Sequence, residues 1–555
     1  MDPPGRPRYG LGVAVDAPPL IRRWPLLLGA SFLLATAGPE PASETARGMV
    51  AADHGLASEA GAEILRRGGN AVDAAVATAL AAGVVQPSGS GLGGGGFAIV
   101  SGNDGVHVLD FRETAPANAT PTMFQNGVSS REGGASVATP GEGPGLATLV
   151  ERWGSLSRKE IAAPALRYAR RWFPAGAHLV GALADLGDSR VPVEYGLFGR
   201  VGVQEGDQVR RVKLAHAIKA WAERGGREFQ QGWIAEDIVD TARAAGGILT
   251  AEDLAGWSPK ERAPIVGSYR GWRVETFPLP SGGPVLLEML AALEGFPVAT
   301  MDPGGAPYFH LLAETMKHAF ADRARFFGDP DRTEIPLASI LSPARRDAIR
   351  ASFDPTRTFE PEHYGMAAPA PDDHGTEHIS VVAGTMAVGL TTTVNLPFGS
   401  HVVADRSGIV LNDQMDDFAT TAGADSPNAI HPGARPLSSM SPTVLTSADG
   451  HTRIAVGASG GQMIISGVLQ VVLDIVDFGM DPAAAVQAPR IHHGWKPNVL
   501  KVEGLSPETI AALRALGHDV QETTFSSSVQ VVVEQDGRYR GASDPRRGGA
   551  PALAR

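Results

Sequence analysis

The chain has 555 residues, of which 43% are hydrophobic and 19% charged, so it has enough apolar material for one large core. It contains no cysteine, which excludes disulfide scaffolds, thiolate metal sites, iron–sulfur clusters and cysteine nucleophiles together. The 48 Lys+Arg against 60 Asp+Glu give a net charge of -12, the wrong sign for a nucleic-acid partner.

In chain order, the first recognisable segment is an export pattern. Arg22 and Arg23 precede an apolar run from Trp24 to Ala37 that ends in Ala35-Thr36-Ala37. A charged lead, a short apolar stretch and small residues predict a signal peptide over 1–37, cleaved near Ala37. The run is too short to span a bilayer, so the expected product is periplasmic or secreted, with no stable membrane anchor.

Apolar periodicity then predicts helices over Ala57–Arg67, Ala71–Ala82, Tyr308–Phe327 and Met463–Phe478. Period-2 or β-branched runs predict strands at Phe97–Ser101, Val106–Phe111, Ile379–Val382, Met386–Asn395, Arg453–Val456 and Val529–Val533. Asp449-Gly450 and Asp536-Gly537 read as hairpin turns, and a third hairpin around Ala383–Thr385 would join the strands flanking it. Antiparallel pairing is therefore expected to dominate the last third of the chain. Between these elements, Phe353–Gly375 is rich in Pro, Ala and acidic residues with no apolar period, and reads as an exposed, flexible linker.

Two familiar motifs carry little. Gly91-Leu92-Gly93-Gly94-Gly95-Gly96 fits a dinucleotide fingerprint, but it follows a helix and precedes a strand, the reverse of the required order. Gly457-Ala458-Ser459-Gly460-Gly461 fits a nucleophile elbow, with Asp474 and His492 or His493 as possible partners for Ser459. Its other reading is a glycine pair at a helix mouth whose backbone N–H groups hold an oxyanion. His492-His493 has no companion at metal-ligand spacing and reads as surface or packing histidine.

A third constellation is richer. Thr376 opens a strongly β stretch directly after the linker. If the Gly375-Thr376 bond were cut, the new N-terminal Thr would carry its own general base, since an α-amine has a pKa of about 7.7 to 8.0. Thr391, Thr393 and Asn395 would share one face of the neighbouring strand. Asn412–Phe418 gathers amides and carboxylates, Pro436–Pro442 gathers hydroxyls, and Arg112 sits at a strand end. An Arg for a carboxylate and an Asp for an ammonium are what recognition of an α-amino acid requires.

These residues resemble the γ-glutamyltranspeptidases, a family of N-terminal nucleophile hydrolases. The resemblance runs from about Ala46 to Ala542-Ser543-Asp544-Pro545-Arg546. It includes Gly48–Ala52, Gly68–Ala75, Gly93–Gly96, Leu109–Pro116, Pro280–Gly283, Gly375–Val382 and Pro436–Pro442. It implies an α+β fold, a four-layer αββα sandwich, with a large subunit 38–375 and a small catalytic subunit 376–555 interleaved in one domain.

The resemblance further implies that Thr376 is the nucleophile of both self-cleavage and turnover, with Thr393 orienting it. Arg112, Ser438 and Ser439 would hold a substrate α-carboxylate; Asn395, Gln414 and Asp417 would hold the α-amino end. Gly460 and Gly461 would supply the oxyanion-hole N–H groups. The implied substrates are glutathione and other γ-glutamyl amides, with water or an amino acid or dipeptide as acceptor and no metal or organic cofactor.

The sequence departs from the pattern at Glu377, where the family often has a second Thr, at Asp413, often Asn, and at Ala458-Ser459, usually Ser/Thr-Pro. The interval Ala419–Ala434 is short for a lid, which implies an open site that favours water. The alternatives are a related acylase or poly-γ-glutamate depolymerase of the same fold, an exported non-catalytic γ-glutamyl-binding protein, and the Ser459 hydrolase.

Overall fold

The protein is described by a computed structural model over residues 46–367, 375–421, 426–524 and 527–555. These belong to one unit that starts at Pro41. The expected signal peptide, 1–37, lies outside the described residues.

Its middle is two sheets. In chain order their strands are β1 (Gly48–Ala52), β2 (Gly95–Gly102), β3 (Gly105–Asp110), β4 (Lys260–Arg262), β5 (Ile265–Tyr269), β6 (Trp272–Thr276), β7 (Gly375–Ala383), β8 (Met386–Asn395), β9 (Thr443–Thr446), β10 (Thr452–Ser459), β11 (Ser528–Gln535), β12 (Arg538–Ser543) and β13 (Ala552–Ala554). The seven-stranded sheet runs β13-β1-β7-β8-β2-β3-β4 and the six-stranded sheet β12-β11-β10-β9-β6-β5. Every pairing in both is antiparallel.

Side-chain alternation along the strands sorts the layers. Ala98, Val100, Ile379, Val381 and Leu390 pack outward on a helical layer that includes α1 (Gly55–Arg66), α2 (Ala71–Val85), α3 (Glu142–Trp153) and α4 (Arg158–Arg170). Their neighbours Phe97, Ile99 and Val382 face inward on the second sheet. That sheet is covered in turn by α5 (Gly283–Leu293), α6 (Ala306–Phe326) and α7 (Met463–Val476). The result is the expected αββα sandwich. Both layers of a buried sheet must be apolar, which is why β7 and β8 are buried along almost their whole length.

The predicted helices and strands are all present, displaced by a few residues at their ends. The three hairpins form as expected, β7 to β8 by the closing pair Ala383↔Met386, β9 to β10, and β11 to β12. Helix α2 is buried on every side, so its start is fixed by a capping box. Asn70 accepts from the Val72 and Asp73 N–H groups, and Asp73 accepts from the Asn70 N–H. Thus the Gly68–Ala75 motif is a helix start, not a ligand site. Among the described residues no helix is long and apolar enough to cross a membrane.

The linker expectation needs correction. Residues 353–367 are docked onto α6: Thr358 donates to Glu314 at 2.6 Å and its N–H to the Leu516 carbonyl at 2.8 Å, and buried Tyr364 donates to Glu314. Composition missed this because the anchors are isolated side chains, Phe353, Phe359 and Tyr364 on the core and Thr358 on Glu314, with no apolar period between them. Residues 368–374 lie outside the described residues.

The glycine run Gly91–Gly96 also has a structural purpose. A Cβ on Gly94 would stand 1.9 Å from the Thr393 carbonyl oxygen, so only glycine lets this turn lie against β8. The turn is held from the other side by Glu142, at the start of α3, which accepts from the Gly91 N–H at 3.3 Å and the Ser90 hydroxyl at 3.4 Å.

Burial pushes the Glu142 carboxyl up to about 8, and nearby Glu113, also about 8, adds repulsion. The folded protein thus binds a proton that the unfolded chain releases above about 4.5. Stability from this group falls as pH rises from about 4.5 to about 8, by up to ~1.4 kcal/mol per pH unit, and is flat above. Glu142→Gln is expected to melt at progressively higher temperature than the parent across that window, read by thermal denaturation from pH 5 to pH 8.

Candidate active site

The site is built around the first residues of β7, in the middle of the seven-stranded sheet. Thr376 lies opposite Thr393 in the β7–β8 register and is buried. The Thr393 hydroxyl donates to the carbonyl oxygen of Gly375, the acyl half of the Gly375-Thr376 bond, and accepts the Asn395 N–H at 2.8 Å. A hydroxyl aimed at that oxygen stabilises negative charge developing on it. Thr393 therefore contacts the Gly375 carbonyl in addition to lying opposite Thr376.

The expectation that Asn395 simply continues the Thr391–Thr393 face is corrected. The register shifts between Thr393 and Asn395, and Asn395 has φ of 77°. A left-handed residue in a bulge re-aims its side chain, and asparagine tolerates it better than most. The Asn395 amide donates to the Asp413 carbonyl at 3.2 Å, and Asp413 accepts the Leu396 N–H at 3.0 Å. The end of β8 is thereby joined to the 412–417 segment. Burial drives the Asp413 carboxyl well above the usual range.

Beyond Asp413 lies a buried ion pair. Arg112 and Asp417 bond directly, Nη2 to Oδ2, and Gln414 donates to the same carboxylate oxygen at 2.6 Å. Arg112 also reaches the Pro436 and Leu437 carbonyls at 3.4 and 3.3 Å. Its backbone is fixed by Asp110, whose carboxylate accepts the Arg112 N–H at 2.9 Å and contacts Arg262 at 2.7 Å and Arg435 at 3.3 Å. Ser438 and Ser439 follow immediately. The Ser438 N–H donates to Pro280 at 2.8 Å, the Gly282 N–H to Met440 at 3.0 Å, and the Ser439 hydroxyl accepts from Arg323 at 3.1 Å. The structure thus gathers Arg112, Gln414, Asp417, Ser438 and Ser439 in one connected group, and Thr376, Thr393 and Asn395 in another joined to it through residues 412–414. All are buried in this uncleaved chain.

Gly460 and Gly461 connect β10 to α7 with φ of 114° and 64°, a turn that L side chains resist. The residue that relates this turn to β7 is Asp53, at the end of β1. Its carboxylate accepts the His378 N–H at 3.1 Å and the Gln530 amide at 2.8 Å, and lies beside Ser459 and Ser528. His378 is wedged between Thr391 at 2.8 Å and Ser380 at 3.0 Å, and burial lowers it to about 3, so it is a neutral packing residue.

Sequence reasoning missed Asp53, Asp110 and Arg323. Asp110 lies inside the Leu109–Pro116 motif and Asp53 ends an apolar strand, which were usable signals; Arg323 lies on the helical pattern with nothing to mark it.

The Ser459 reading loses its geometry. The Ser459 hydroxyl donates to the Ser528 carbonyl at 3.5 Å, while the hydroxyl on His492 Nδ1, at 2.6 Å, is that of Ser466. His492 and His493 are both buried, so of the two bland readings packing holds and surface does not. Among the described residues one group, His310, Glu314 and His518, brings ligand-type atoms within 4.8 Å of one another. Its two rings hydrogen-bond each other at 2.8 Å, and Lys317 already neutralises Glu314 at 3.1 Å, so it reads as core polar packing.

Comparison with known proteins agrees with this geometry. The family model described as Gamma-glutamyltranspeptidase matches residues 57–554. The chain is 36% identical over 561 residues to the glutathione hydrolase proenzyme of Escherichia coli (strain K12), covering 94% of this chain and 96% of that protein. It is 35% identical to the glutathione hydrolase proenzyme of Bacillus subtilis (strain 168), covering 91% of each. Among solved structures it is similar to a cephalosporin acylase from Bacillus halodurans, with TM-score 0.83 and 28% identity over 91% of this chain and 96% of that one. It also resembles the Helicobacter pylori γ-glutamyltranspeptidase, with TM-score 0.53 and 33% identity over 57% of this chain and 93% of that one. With the family model spanning nearly the whole chain and relatives of this identity and coverage, the protein belongs to the γ-glutamyltranspeptidase family.

Proposed function

We propose that this protein is an exported, self-cleaving γ-glutamyl hydrolase and transferase acting on glutathione and related γ-glutamyl amides. The observation that carries the reading is the Thr393 hydroxyl on the Gly375 carbonyl oxygen, set one register pair from Thr376. In self-cleavage the Thr376 hydroxyl attacks the Gly375 carbonyl carbon and the peptide nitrogen leaves as the new α-amine. Water then hydrolyses the resulting ester, giving subunits of about 38–375 and 376–555.

In turnover the free amine of Thr376 takes the proton of its own hydroxyl as that oxygen attacks the γ-carbonyl of the donor. The Gly460 and Gly461 N–H groups hold the oxyanion, and the amine returns the proton to the departing nitrogen. Water, favoured by a short lid segment, or an amino acid or dipeptide then releases the glutamyl group from its Thr ester. The Arg112–Asp417 pair matches the two poles of the glutamyl α-carbon. A donor carboxylate on Arg112, Ser438 and Ser439, and its ammonium on Asp417, Gln414 and Asn395, exchange one buried ion pair for two. The exchange spares either charge a spell of isolation in the interior. Location in the periplasm or outside the cell follows from the 1–37 segment.

A second reading is supported by the similarity to a cephalosporin acylase: an acylase whose acyl group lacks the ammonium. Asp417 decides between them.

Three outcomes are expected. Purified wild type splits into two chains, the smaller beginning at Thr376 by N-terminal sequencing, while Thr376→Ala stays whole on a denaturing gel. Thr393→Val removes one donor from the Gly375 carbonyl and slows self-cleavage about 100-fold, read by a gel time course. Asp417→Asn lowers kcat/KM for a γ-glutamyl anilide on the order of 100-fold, the cost of breaking a buried charge pair, but not for the glutaryl anilide. Equal loss on both donors, with the glutaryl compound the better substrate in wild type, would assign the acylase.

A further inference from the structure

Beside Thr376, at the head of β7, two acidic side chains are buried close together. Glu377 follows the nucleophile directly and is fully enclosed. Its carboxyl lies within reach of the Asp53 carboxyl and faces the Gln86 side chain of α2. Neither Glu377 oxygen accepts a hydrogen bond of normal geometry. Asp53, by contrast, is well supplied, with the His378 N–H at 3.1 Å and the Gln530 amide at 2.8 Å. Asp53 is rich in donors, Glu377 is faced by the Gln86 amide alone, and the two enclosed carboxyls lie against each other, the arrangement in which one proton serves both.

The remaining charge of the pair is met by Arg547, which interacts with both carboxyls and donates to the Thr376 carbonyl oxygen at 2.8 Å. The other titratable groups around the cluster are neutral. Burial lowers His54 and His178 to about 4 and His378 to about 3. The pair therefore connects four elements at the nucleophile: β1 through Asp53, β7 through Glu377, β10 through Ser459 beside the Gly460–Gly461 turn, and β11 through Gln530.

We propose that Asp53 and Glu377 are positioning residues for Thr376, a proton-sharing carboxyl pair that with Arg547 holds the head of β7 and sets the high-pH limit of activity. This rests on the proposed γ-glutamyl chemistry of Thr376. With one proton, the pair carries one negative charge against one guanidinium. Loss of that proton leaves two negative charges one residue from the nucleophile. They draw Arg547 away from the Thr376 carbonyl and favour the protonated form of the adjacent α-amine, which then cannot act as the base. Desolvation and the Asp53 charge both hold Glu377 well above the ordinary carboxylate range, so this loss comes as pH rises.

Glu377→Gln tests the idea because an amide can still donate to Asp53 but cannot ionise. With a chromogenic γ-glutamyl anilide, the high-pH fall in kcat/KM is expected to move up by at least one pH unit in E377Q; superimposed profiles for an active wild type and E377Q would overturn the role. A second arm uses the uncleaved chain, comparing T376A with T376A/E377Q by thermal melting from pH 5 to pH 9. A raised acid destabilises the fold as pH rises, so the E377Q background is expected to gain melting temperature over its parent with increasing pH. A constant difference would overturn the shared proton. Wild type without cleavage or turnover would instead overturn the proposed function, and the melting arm would still decide the pair.

Discussion

The rest of the structure is arranged around a peptide bond that lies inside a central β-strand. Strand β7 is flanked by β1 and β8, and the Gly375-Thr376 bond sits at its first residues, in register with Thr393 and the bulge at Asn395. Both residues of the bond are buried, with β8 paired along one edge, while the β1 pairing on the other edge begins only at Ile379. The groups that act on it must come from the neighbouring strand and from the strand itself. Thr393 does so by sequence position and register alone, which demands that β8 be pressed against the glycine turn at Gly94. The glycine run, the Thr-rich strand and the linker-to-strand junction are thus parts of one constraint.

The second constraint is charge in a closed interior. Arg112 and Asp417 are buried together, and each compensates the other until a ligand of matching polarity arrives. Their alignment is maintained from outside the pair, by Asp110 on the Arg112 backbone and by the Pro436 and Leu437 carbonyls. Burial also raises the carboxyls of Glu113, Glu142 and Asp413, the first of them in spite of the Arg112 guanidinium at 3.7 Å.

Much of this was legible in the sequence because period and turn chemistry are local. The helices at Ala71 and Tyr308, the strands at Phe97 and Met386 and the hairpins at Asp449 and Asp536 need only neighbouring residues to be recognised. So does the junction at Thr376, where a polar stretch meets a core strand. Arg112, Gln414, Asp417, Ser438 and Ser439 each sit in a short polar motif that alone reads as an ordinary loop, and only the resemblance to the family joined them into a set. What was illegible depended on contacts across hundreds of residues. The docking of 353–367 rests on Glu314 and Leu516, the bulge at Asn395 on the Asp413 carbonyl, and the role of Asp53 on strands that arrive more than three hundred residues later. No period or propensity encodes such meetings.

The strand order of the seven-stranded sheet has one more consequence. Reading across β13-β1-β7-β8-β2-β3-β4, strand β1, from chain that precedes residue 375, is enclosed between β13 and β7 from chain that follows it, and β7-β8 are in turn enclosed between β1 and β2. Neither portion by itself holds the whole sheet, since β1 needs β13 and β7 on its two sides and β8 needs β2. Synthesis as one continuous polypeptide supplies the tether under which the order is established, and cutting the tether afterwards leaves the pieces interlocked. The assembly is therefore a one-way event: once the sheet is taken apart, the mature fragments lack the covalent memory from which it was built.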